Sequence, residues 1–91
     1  MDFEIKHEGN KFYTIIDGME SHLQYMKESN DVIIFYHTFV PPELRGKGIA
    51  QKSIRAGMDY AVENNFRVIP TCSAVVSFIN RYPEYKGQSN V

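Results

Sequence analysis

A short stretch between residues 40 and 50, VPPELRGKGIA, combines a proline break, two cations and two glycines just ahead of a helix-like run. The first amides of a helix have no intrahelical partner, and the helix dipole adds about half a positive charge there. Gly46 and Gly48 let another group approach the backbone closely, and Arg45 and Lys47 add positive charge. The stretch therefore predicts an anion site suited to a phosphate or a diphosphate.

The second group with chemical potential is the single cysteine, Cys72, which ends the β-rich run RVIPTC and precedes a predicted helix. A helix N-terminus lowers the pKa of a thiol, so Cys72 is a candidate nucleophile. In a βαβ unit its strand would end beside the strand that closes at Val40, where ligands of such sheets gather. The alternatives are a buried cysteine that acts as a small hydrophobic residue and one that only lines the site.

Histidine supplies a candidate general base, because it titrates near neutral pH. His37, three residues before Val40, could deprotonate an amine, although burial tendencies favour a hydrogen-bonded core or groove histidine. Glu43, just ahead of the anion site, could act as a base or a salt-bridge partner, although a solvated loop carboxylate is the favoured interpretation. The three histidines, at positions 7, 22 and 37, lack ligand spacing, so no metal site is predicted.

Size and composition describe the setting of these groups. A chain of 91 residues with 43% hydrophobic content predicts one domain, residues 1–91. The net charge of −1 argues against broad charge-driven binding to nucleic acid or anionic membrane. One cysteine excludes an internal disulfide and fits a reducing compartment. With no signal peptide and no apolar run of about 20 residues, we expect a soluble cytoplasmic protein, monomeric or homodimeric.

The hydrophobic pattern predicts the element order β-β-β-β-α-β-α, an α+β fold with a mixed, mostly antiparallel sheet and one βαβ unit. The run 20–28 alternates like a strand but could also be helical, and the run 31–40 is apolar on both faces, as in a central strand covered on both sides. Pro83 ends the last helix, Ser73 can cap its start, and the polar tail is expected to fray. The predicted strands are 2–7, 11–17, 20–28, 31–40 and 67–72, the helices 45–65 and 73–82, and the fraying tail 83–91.

The stretch RGKGIA resembles the acetyl-coenzyme A motif of the GNAT N-acetyltransferase superfamily, [Q/R]-x-x-G-x-[G/A], with Arg45, Gly48 and Ala50 at its fixed positions. It does not match the P-loop spacing, and Gln51 occupies the third glycine position of the dinucleotide fingerprint. Together with YPEY at residues 82–85, the wider phrase VPPELRGKGIA resembles a subgroup of very small GNAT-like proteins. The resemblance implies a reduced GNAT-like fold.

The resemblance also implies roles for individual residues. Main-chain amides of the loop would bind the coenzyme diphosphate, main-chain groups near Val40 would pair with the pantetheine arm, and Asn80 could reach that arm. Tyr82 and Tyr85 lie where the superfamily often supplies a tyrosine that protonates the leaving thiolate, although core packing at the helix end is the favoured interpretation of Tyr82. The implied coenzyme-binding residues are Phe39, Val40, Leu44, Arg45, Gly46, Lys47, Gly48, Ile49, Ala50 and Asn80, and the candidate catalytic residues are Cys72, His37 and Tyr82.

Two classes of function follow from the resemblance. The first is an N-acetyltransferase that moves an acetyl group from acetyl-coenzyme A (acetyl-CoA) to a primary amine on a small molecule, peptide or protein, through Cys72 or directly. The second is a non-catalytic module that holds coenzyme A, because the chain lacks room for the helices and strands that usually wall the acceptor site. A nucleic-acid-binding domain is poorly supported, since the only aromatic and basic cluster, NRYPEYK, is short.

Overall fold

The computed structural model of the protein describes residues 3–89. Within them the element order is β-β-β-β-α-β-α, as predicted, with two added 3₁₀ helices. The strands are β1 (Lys6–Glu8), β2 (Lys11–Ile16), β3 (Met19–Ser29), β4 (Val32–Phe39) and β5 (Arg67–Pro70), the α-helices are α1 (Ile49–Glu63) and α2 (Ser73–Arg81), and the 3₁₀ helices are Pro42–Leu44 and Pro83–Gln88.

The five strands form one sheet in the order β1-β2-β3-β4-β5. The first four strands are antiparallel neighbours, and β5 pairs parallel to β4 after the crossover through α1. This is the mixed, mostly antiparallel α+β sheet with one βαβ unit that the pattern predicted. The helical alternative for residues 20–28 is wrong, because strand alternation there buries Ser21, Leu23 and Tyr25 against the core.

The core lies on one face of the sheet, between the strands and the two α-helices. Leu23 and Phe35 of the sheet are fully buried beside Met58 of α1. Gly57 allows this contact, because a Cβ atom there would lie 2.8 Å from Cδ2 of Leu23 and 3.1 Å from the Phe35 ring. Helix α1 therefore sits closer to the sheet than a residue with a side chain would permit.

The opposite face of the sheet, called the open face below, carries exposed apolar side chains. Ile15 is 59% exposed, Met26 is 53% exposed, and Phe39 of β4 is 40% exposed. The expectation that β4 is covered on both faces is therefore wrong for residues 3–89, where both α-helices join the core of the other face. The apolar character of β4 on its second face reflects this open surface.

A bulge in β4 changes which side chains face the core. Tyr25 pairs with Phe35, but the next residue back in β3, Gln24, pairs with His37, so Tyr36 is an extra residue in β4. Because strand side chains alternate, one extra residue reverses the faces of everything beyond it. Thr38 thus shares the helix-covered face, and His37 shares the open face, contrary to a simple alternation from Phe35.

Helix α1 begins at Ile49, not at residue 45, and ends at Glu63 rather than 65. Gly46 and Gly48 have φ angles of 82° and 77°, which a right-handed helix cannot contain. Asn65, just beyond the other end of the helix, has a φ of 58°, which a right-handed helix likewise cannot contain. The N-cap of α2 is Cys72, not Ser73 as expected.

The expectation of a frayed tail is wrong for residues 83–89, and residues 90 and 91 lie outside the described part of the chain. Residues Pro83–Gln88 form a 3₁₀ helix, and Ser89 forms a parallel bridge with Val68. Tyr85 is 7% exposed, and its hydroxyl donates a 2.6 Å hydrogen bond to Asp59. The polar composition of the tail gave no indication that Tyr85 packs into the core.

Candidate active site

The two parallel strands separate at the carboxyl end of β4. Their ladder stops at the pair Phe35 and Pro70, and the Thr71 amide makes a last 3.1 Å hydrogen bond to the Phe35 carbonyl. Strand β4 continues to Phe39 without a β5 residue beside it. The main-chain groups on that edge are therefore open to an extended ligand that would pair with them as a strand does.

A cleft of about 350 Å³ lies at this separation. It runs from the end of β4 to the start of α1, with Ala74 of α2 on its far side. Of the ten residues that the resemblance assigned to the coenzyme, eight line it: Phe39, Val40, Leu44, Arg45, Gly46, Gly48, Ile49 and Ala50. The fold thus brings these residues to one place, and their role in binding stays a prediction.

The other two assigned residues lie elsewhere. Lys47 lines an adjoining cleft of about 380 Å³, together with Lys52 and Arg55 of α1. Gly48 and Gln51 line both clefts, so this basic surface is continuous with the main cleft. Asn80 is on the exposed side of α2 and is not among the residues that line either cleft.

The backbone between residues 46 and 49 leaves the start of α1 without a side-chain cap. Gly48 is the N-cap of α1, no side chain caps that end, and the first turn holds no acidic residue. The amides that open the helix thus have no capping partner, and the helix dipole favours negative charge there. A Cβ atom on Gly46 or Gly48 would meet nothing within 4 Å. The positive φ angles, not crowding, therefore require glycine here, and space is left above the backbone.

Several side chains of the loop between β4 and α1 point into the protein interior or bond within the loop. Leu44 and Ile49 are 2% and 1% exposed, so their side chains belong to the interior and only their backbone borders the cleft. The Arg45 Nε atom donates a 3.1 Å hydrogen bond to the Val40 carbonyl. This bond links Arg45 to the first residue of the loop. It also occupies the Val40 carbonyl, a main-chain acceptor just after the end of β4.

Cys72 is half-buried and is not among the residues that line the cleft, but its thiol lies 3.4 Å from the hydroxyl of Thr38. Thr38 and Ala74 both line the cleft. Burial alone would raise the pKa of the Cys72 thiol, but the Thr38 hydroxyl and the nearby amides of Ala74, Val75 and Thr38 outweigh it and lower that pKa. The arrangement favours a thiolate, which is the nucleophilic form.

His37 is on the open face of the sheet, while Cys72 meets β4 through Thr38 on the helix-covered face. The His37 side chain is exposed and makes no hydrogen bond with the described residues, and its ring lies 5.3 Å from the His22 ring, centroid to centroid. The two predicted catalytic groups are thus on opposite sides of β4.

The two tyrosines of YPEY differ. The Tyr82 hydroxyl accepts a 2.5 Å hydrogen bond from Gln51, and its ring lies 4.7 Å from the Arg55 guanidinium. Tyr82 lines a cleft of about 280 Å³ that shares Ala50, Gln51 and Ala74 with the main cleft. Tyr85 instead is buried, and burial, followed by its hydrogen bond to Asp59, raises its pKa. Tyr85 therefore has a structural role.

Sequence reasoning missed three residues of the cleft: Thr38, Gln51 and Ala74. Thr38 was hidden because alternation from Phe35 places it on the face away from the helices, and only the bulge at Tyr36 returns it to the cleft. Gln51 was noted only as a mismatch to a dinucleotide motif. Its position on the first turn of α1, three residues after Gly48, was the available signal that it faces the cleft.

A family model described as GCN5-related N-acetyl-transferase matches residues 11–88. The chain belongs to this family. The match confirms the predicted resemblance and, with the sheet described above, the reduced GNAT-like fold. The enzyme class predicted from the motif is that of the family.

Individual relatives agree with this placement. Protein NATD1 from Bos taurus is 34% identical over 65 residues, 69% of this chain and 58% of the relative, and Protein NATD1 from Xenopus tropicalis is 32% identical over 65 residues, 69% and 60%. The match thus spans under two thirds of the length of these relatives. The solution structure of a "GCN5-like putative N-acetyltransferase" from Staphylococcus aureus is similar with a TM-score of 0.77 at 32% identity, covering 94% of this chain and 86% of that one.

Residues 3–89 contain neither a membrane-spanning helix nor a cluster of metal ligands. None of the helices in this part of the chain is long and apolar enough to cross a membrane. Nor does it contain a group of three or more histidine, cysteine, aspartate or glutamate side chains placed to hold a metal ion.

Proposed function

We propose that the protein transfers an acetyl group from acetyl-CoA to a primary amine. The observation that carries the proposal is the single cleft that joins the free edge of β4 to the uncapped N-terminus of α1. An extended arm ending in a diphosphate fits this combination, because the edge can pair with amide groups and the helix end attracts phosphate. Family membership supports the same donor and the same reaction class.

Different parts of the cleft would bind different parts of the coenzyme. The amides from Gly46 to Ala50 would hold the diphosphate, and the edge at Thr38 and Phe39 would pair with the pantetheine arm. The cations Lys47, Lys52 and Arg55 line the adjoining cleft, where they favour further phosphate charge. When bound, acetyl-CoA supplies a thioester whose carbonyl carbon accepts a nucleophile.

Cys72 is our proposed first acceptor of the acetyl group. Its thiolate would attack the thioester carbonyl carbon, a new carbon–sulfur bond would form, and coenzyme A would leave as a thiolate. An amine nitrogen would then attack the acetyl-Cys72 carbonyl, the carbon–sulfur bond to Cys72 would break, and the nitrogen would lose a proton. The support for this route is the contact of the sulfur with Thr38, which lines the cleft, and the hydrogen bonds that lower the pKa of the thiol.

We propose Tyr82 as the proton donor to a leaving thiolate, and the support is that it borders a cleft that shares three residues with the main one. Its hydroxyl accepts from Gln51, so its own proton stays available. Tyr85 is not proposed for this role, since its proton is directed to Asp59.

Mass spectrometry of the intact protein after incubation with acetyl-CoA tests the proposal. Wild type should gain one acetyl group and Cys72→Ala none, while both should bind coenzyme A equally in a calorimetric titration. An isolated adduct should then pass its acetyl group to a primary amine. Binding without an adduct or any amine acetylation would leave a module that holds coenzyme A, and absence of binding would overturn the proposal.

A further inference from the structure

The open face carries a cluster of rings that neither the motif nor the main cleft explains. His22 of β3 lies between two side chains of β4, with its ring 5.3 Å from that of His37 and 5.8 Å from that of Phe39, centroid to centroid. His22 pairs directly with Phe39 across the two strands. The bulge at Tyr36 is what turns His37 and Phe39 toward His22.

His22 has a defined orientation. Its Nδ1 atom lies 2.9 Å from Oε2 of Glu20, two residues earlier on the same face of β3. Glu20 is itself fixed by Lys11, whose Nζ lies 2.9 Å and 3.0 Å from the two carboxylate oxygens. The hydrogen bond from Lys11 lowers the pKa of Glu20, against a smaller opposing effect of burial, and the bond from His22 adds to it.

This orientation determines which nitrogen of His22 can accept a proton. An ionised carboxylate only accepts hydrogen bonds, so Nδ1 carries the hydrogen and donates to Glu20. The Nε2 atom is then the basic nitrogen, and it has no hydrogen-bond partner among residues 3–89. A histidine held through one nitrogen by a carboxylate, with the other nitrogen free, is the arrangement of a general base.

Phe39 connects this cluster to the main cleft. It lines the cleft and also contacts the His22 ring on the open face. Cys72 contacts Thr38 on the helix-covered face, whereas His22 and His37 lie on the open face, so an acyl group at the edge of β4 would have the thiol on one side and the imidazoles on the other. With the donor in the cleft, as proposed above, the open face would be the free direction from which an acceptor could arrive.

Resting on the proposed function, we propose that the acceptor amine enters over the open face of the sheet and that His22, positioned by Glu20, takes its proton. The amine would arrive as an ammonium group and give one proton to Nε2 of His22. Its freed lone pair would then attack the acyl carbon, the carbon–sulfur bond would break, and the thiolate would keep the electron pair. A further proton leaves the nitrogen as the amide forms and goes to the thiolate or to water.

The groups around His22 indicate the class of acceptor. The titratable neighbours that face it are Lys11, Tyr13 and Glu20 from β2 and β3 and His37 from β4. Lys11 and Glu20 neutralise each other, so no net charge is left to bind a strongly anionic substrate. Ile15 lies on the same face and is 59% exposed. We therefore infer a primary amine carried on an aliphatic chain.

Two amine probes test this assignment. Propylamine is protonated at neutral pH and needs a base, whereas hydroxylamine is neutral and loses its proton readily to water. For propylamine, His22→Ala should lower kcat/KM about 100-fold, the usual size of a general-base effect, and Glu20→Gln about 10-fold, the size of a lost supporting hydrogen bond. Both variants should acetylate hydroxylamine within about threefold of wild type, and imidazole in the buffer should restore propylamine acetylation to His22→Ala.

Controls separate this assignment from the proposed function and from misfolding. His7→Gln removes a histidine of β1, on the helix-covered face beside Phe12, and should leave both rates unchanged. Coenzyme A affinity should be equal in all variants, and the Glu20→Gln loss should fall on kcat rather than on KM for propylamine. If wild type acetylates both probes and His22→Ala does so equally well, the role of His22 is overturned and the proposed function stands. If wild type acetylates neither probe, both are overturned.

Discussion

The thiol of Cys72 lies 3.4 Å from the hydroxyl of Thr38, across the gap where β4 and β5 separate. This contact exists because the bulge at Tyr36 turns Thr38 toward the helices. The same bulge turns His37 to the open face, beside His22. One extra residue in β4 therefore places a sulfur nucleophile and a pair of imidazoles on opposite sides of the strand edge proposed to hold the acetyl group.

Replacing Thr38 with valine should raise the pKa of Cys72. The substitution removes the hydroxyl that favours the thiolate and keeps the β-branched shape. A hydrogen bond to a charged group contributes about 1.5 kcal/mol, which corresponds to about one pH unit. The rate of alkylation by iodoacetamide, followed from pH 5 to 10, should reach half its maximum about one unit higher in Thr38→Val.

Thr38→Ser is the matched control for this measurement, because it retains the hydroxyl. Its alkylation profile should follow that of wild type within a few tenths of a pH unit. Equal profiles for Thr38→Val and wild type would show that the main-chain amides of Ala74, Val75 and Thr38 stabilise the thiolate without the hydroxyl.

Placing a methyl group at position 57 should destabilise the fold. A Cβ atom there would lie 2.8 Å from Leu23 and 3.1 Å from Phe35, both fully buried. Overpacking of this kind costs about 1–3 kcal/mol, more than the gain in helix propensity from glycine to alanine. Urea denaturation of Gly57→Ala should show a lower midpoint with the same slope.

Gly87→Ala provides the comparison for this variant. A Cβ atom at Gly87 would meet nothing within 4 Å, so this substitution should change the free energy of unfolding by less than about 0.5 kcal/mol. A Gly57→Ala protein as stable as wild type would mean that α1 can shift away from the sheet without cost.

The sequence was sufficient for the element order, the single βαβ unit and the location of the cleft. These depend on local signals, namely the β-branched run before Val40, the two prolines after it and the glycines at 46 and 48. Such signals act within a few residues, so a single chain displays them directly. The family match over residues 11–88 agrees with that interpretation.

The missed features depend on contacts between distant residues. The bulge is visible only when β3 is aligned with β4, so the faces of His37 and Thr38 could not be assigned from alternation alone. The 3₁₀ helix after Pro83 forms because Tyr85 packs against Phe78 and bonds to Asp59, 26 residues away. Burial of one aromatic ring outweighs the polar composition of the segment that carries it.

Substitutions at Gly48 should separate backbone strain from loss of binding. Gly48 has a φ of 77° and open space around it. Gly48→Ala should therefore lower the free energy of unfolding by about 1–2 kcal/mol, the cost of the left-handed conformation. Gly48→Asn should cost less stability, because asparagine tolerates this conformation. Both side chains would project toward the space above the helix N-terminus, so both should weaken coenzyme A binding at least tenfold in a calorimetric titration.

Comparing Gly48→Ala with Gly48→Asn separates backbone strain from occupation of the anion site. If only Gly48→Ala weakened binding, strain rather than occupation of the anion site would be the cause. Unchanged affinity in both variants would contradict the placement of the diphosphate at the start of α1.

Removing the hydroxyl of Tyr85 should lower stability without changing the site chemistry. Tyr85→Phe loses the 2.6 Å bond to Asp59 and the 3.2 Å bond from Arg55, which together link α1 to the last 3₁₀ helix. The expected cost is about 1–2 kcal/mol, because each bond contributes about 1 kcal/mol and the ring itself remains packed. Urea denaturation should report this loss, while the amount of acetyl adduct formed on Cys72 at saturating acetyl-CoA should match wild type.

Tyr36→Phe is the control for this variant. It removes a hydroxyl at a 40% exposed position and should leave the stability unchanged. A Tyr85→Phe protein of full stability that no longer forms the adduct would assign Tyr85 to the reaction and contradict its structural role.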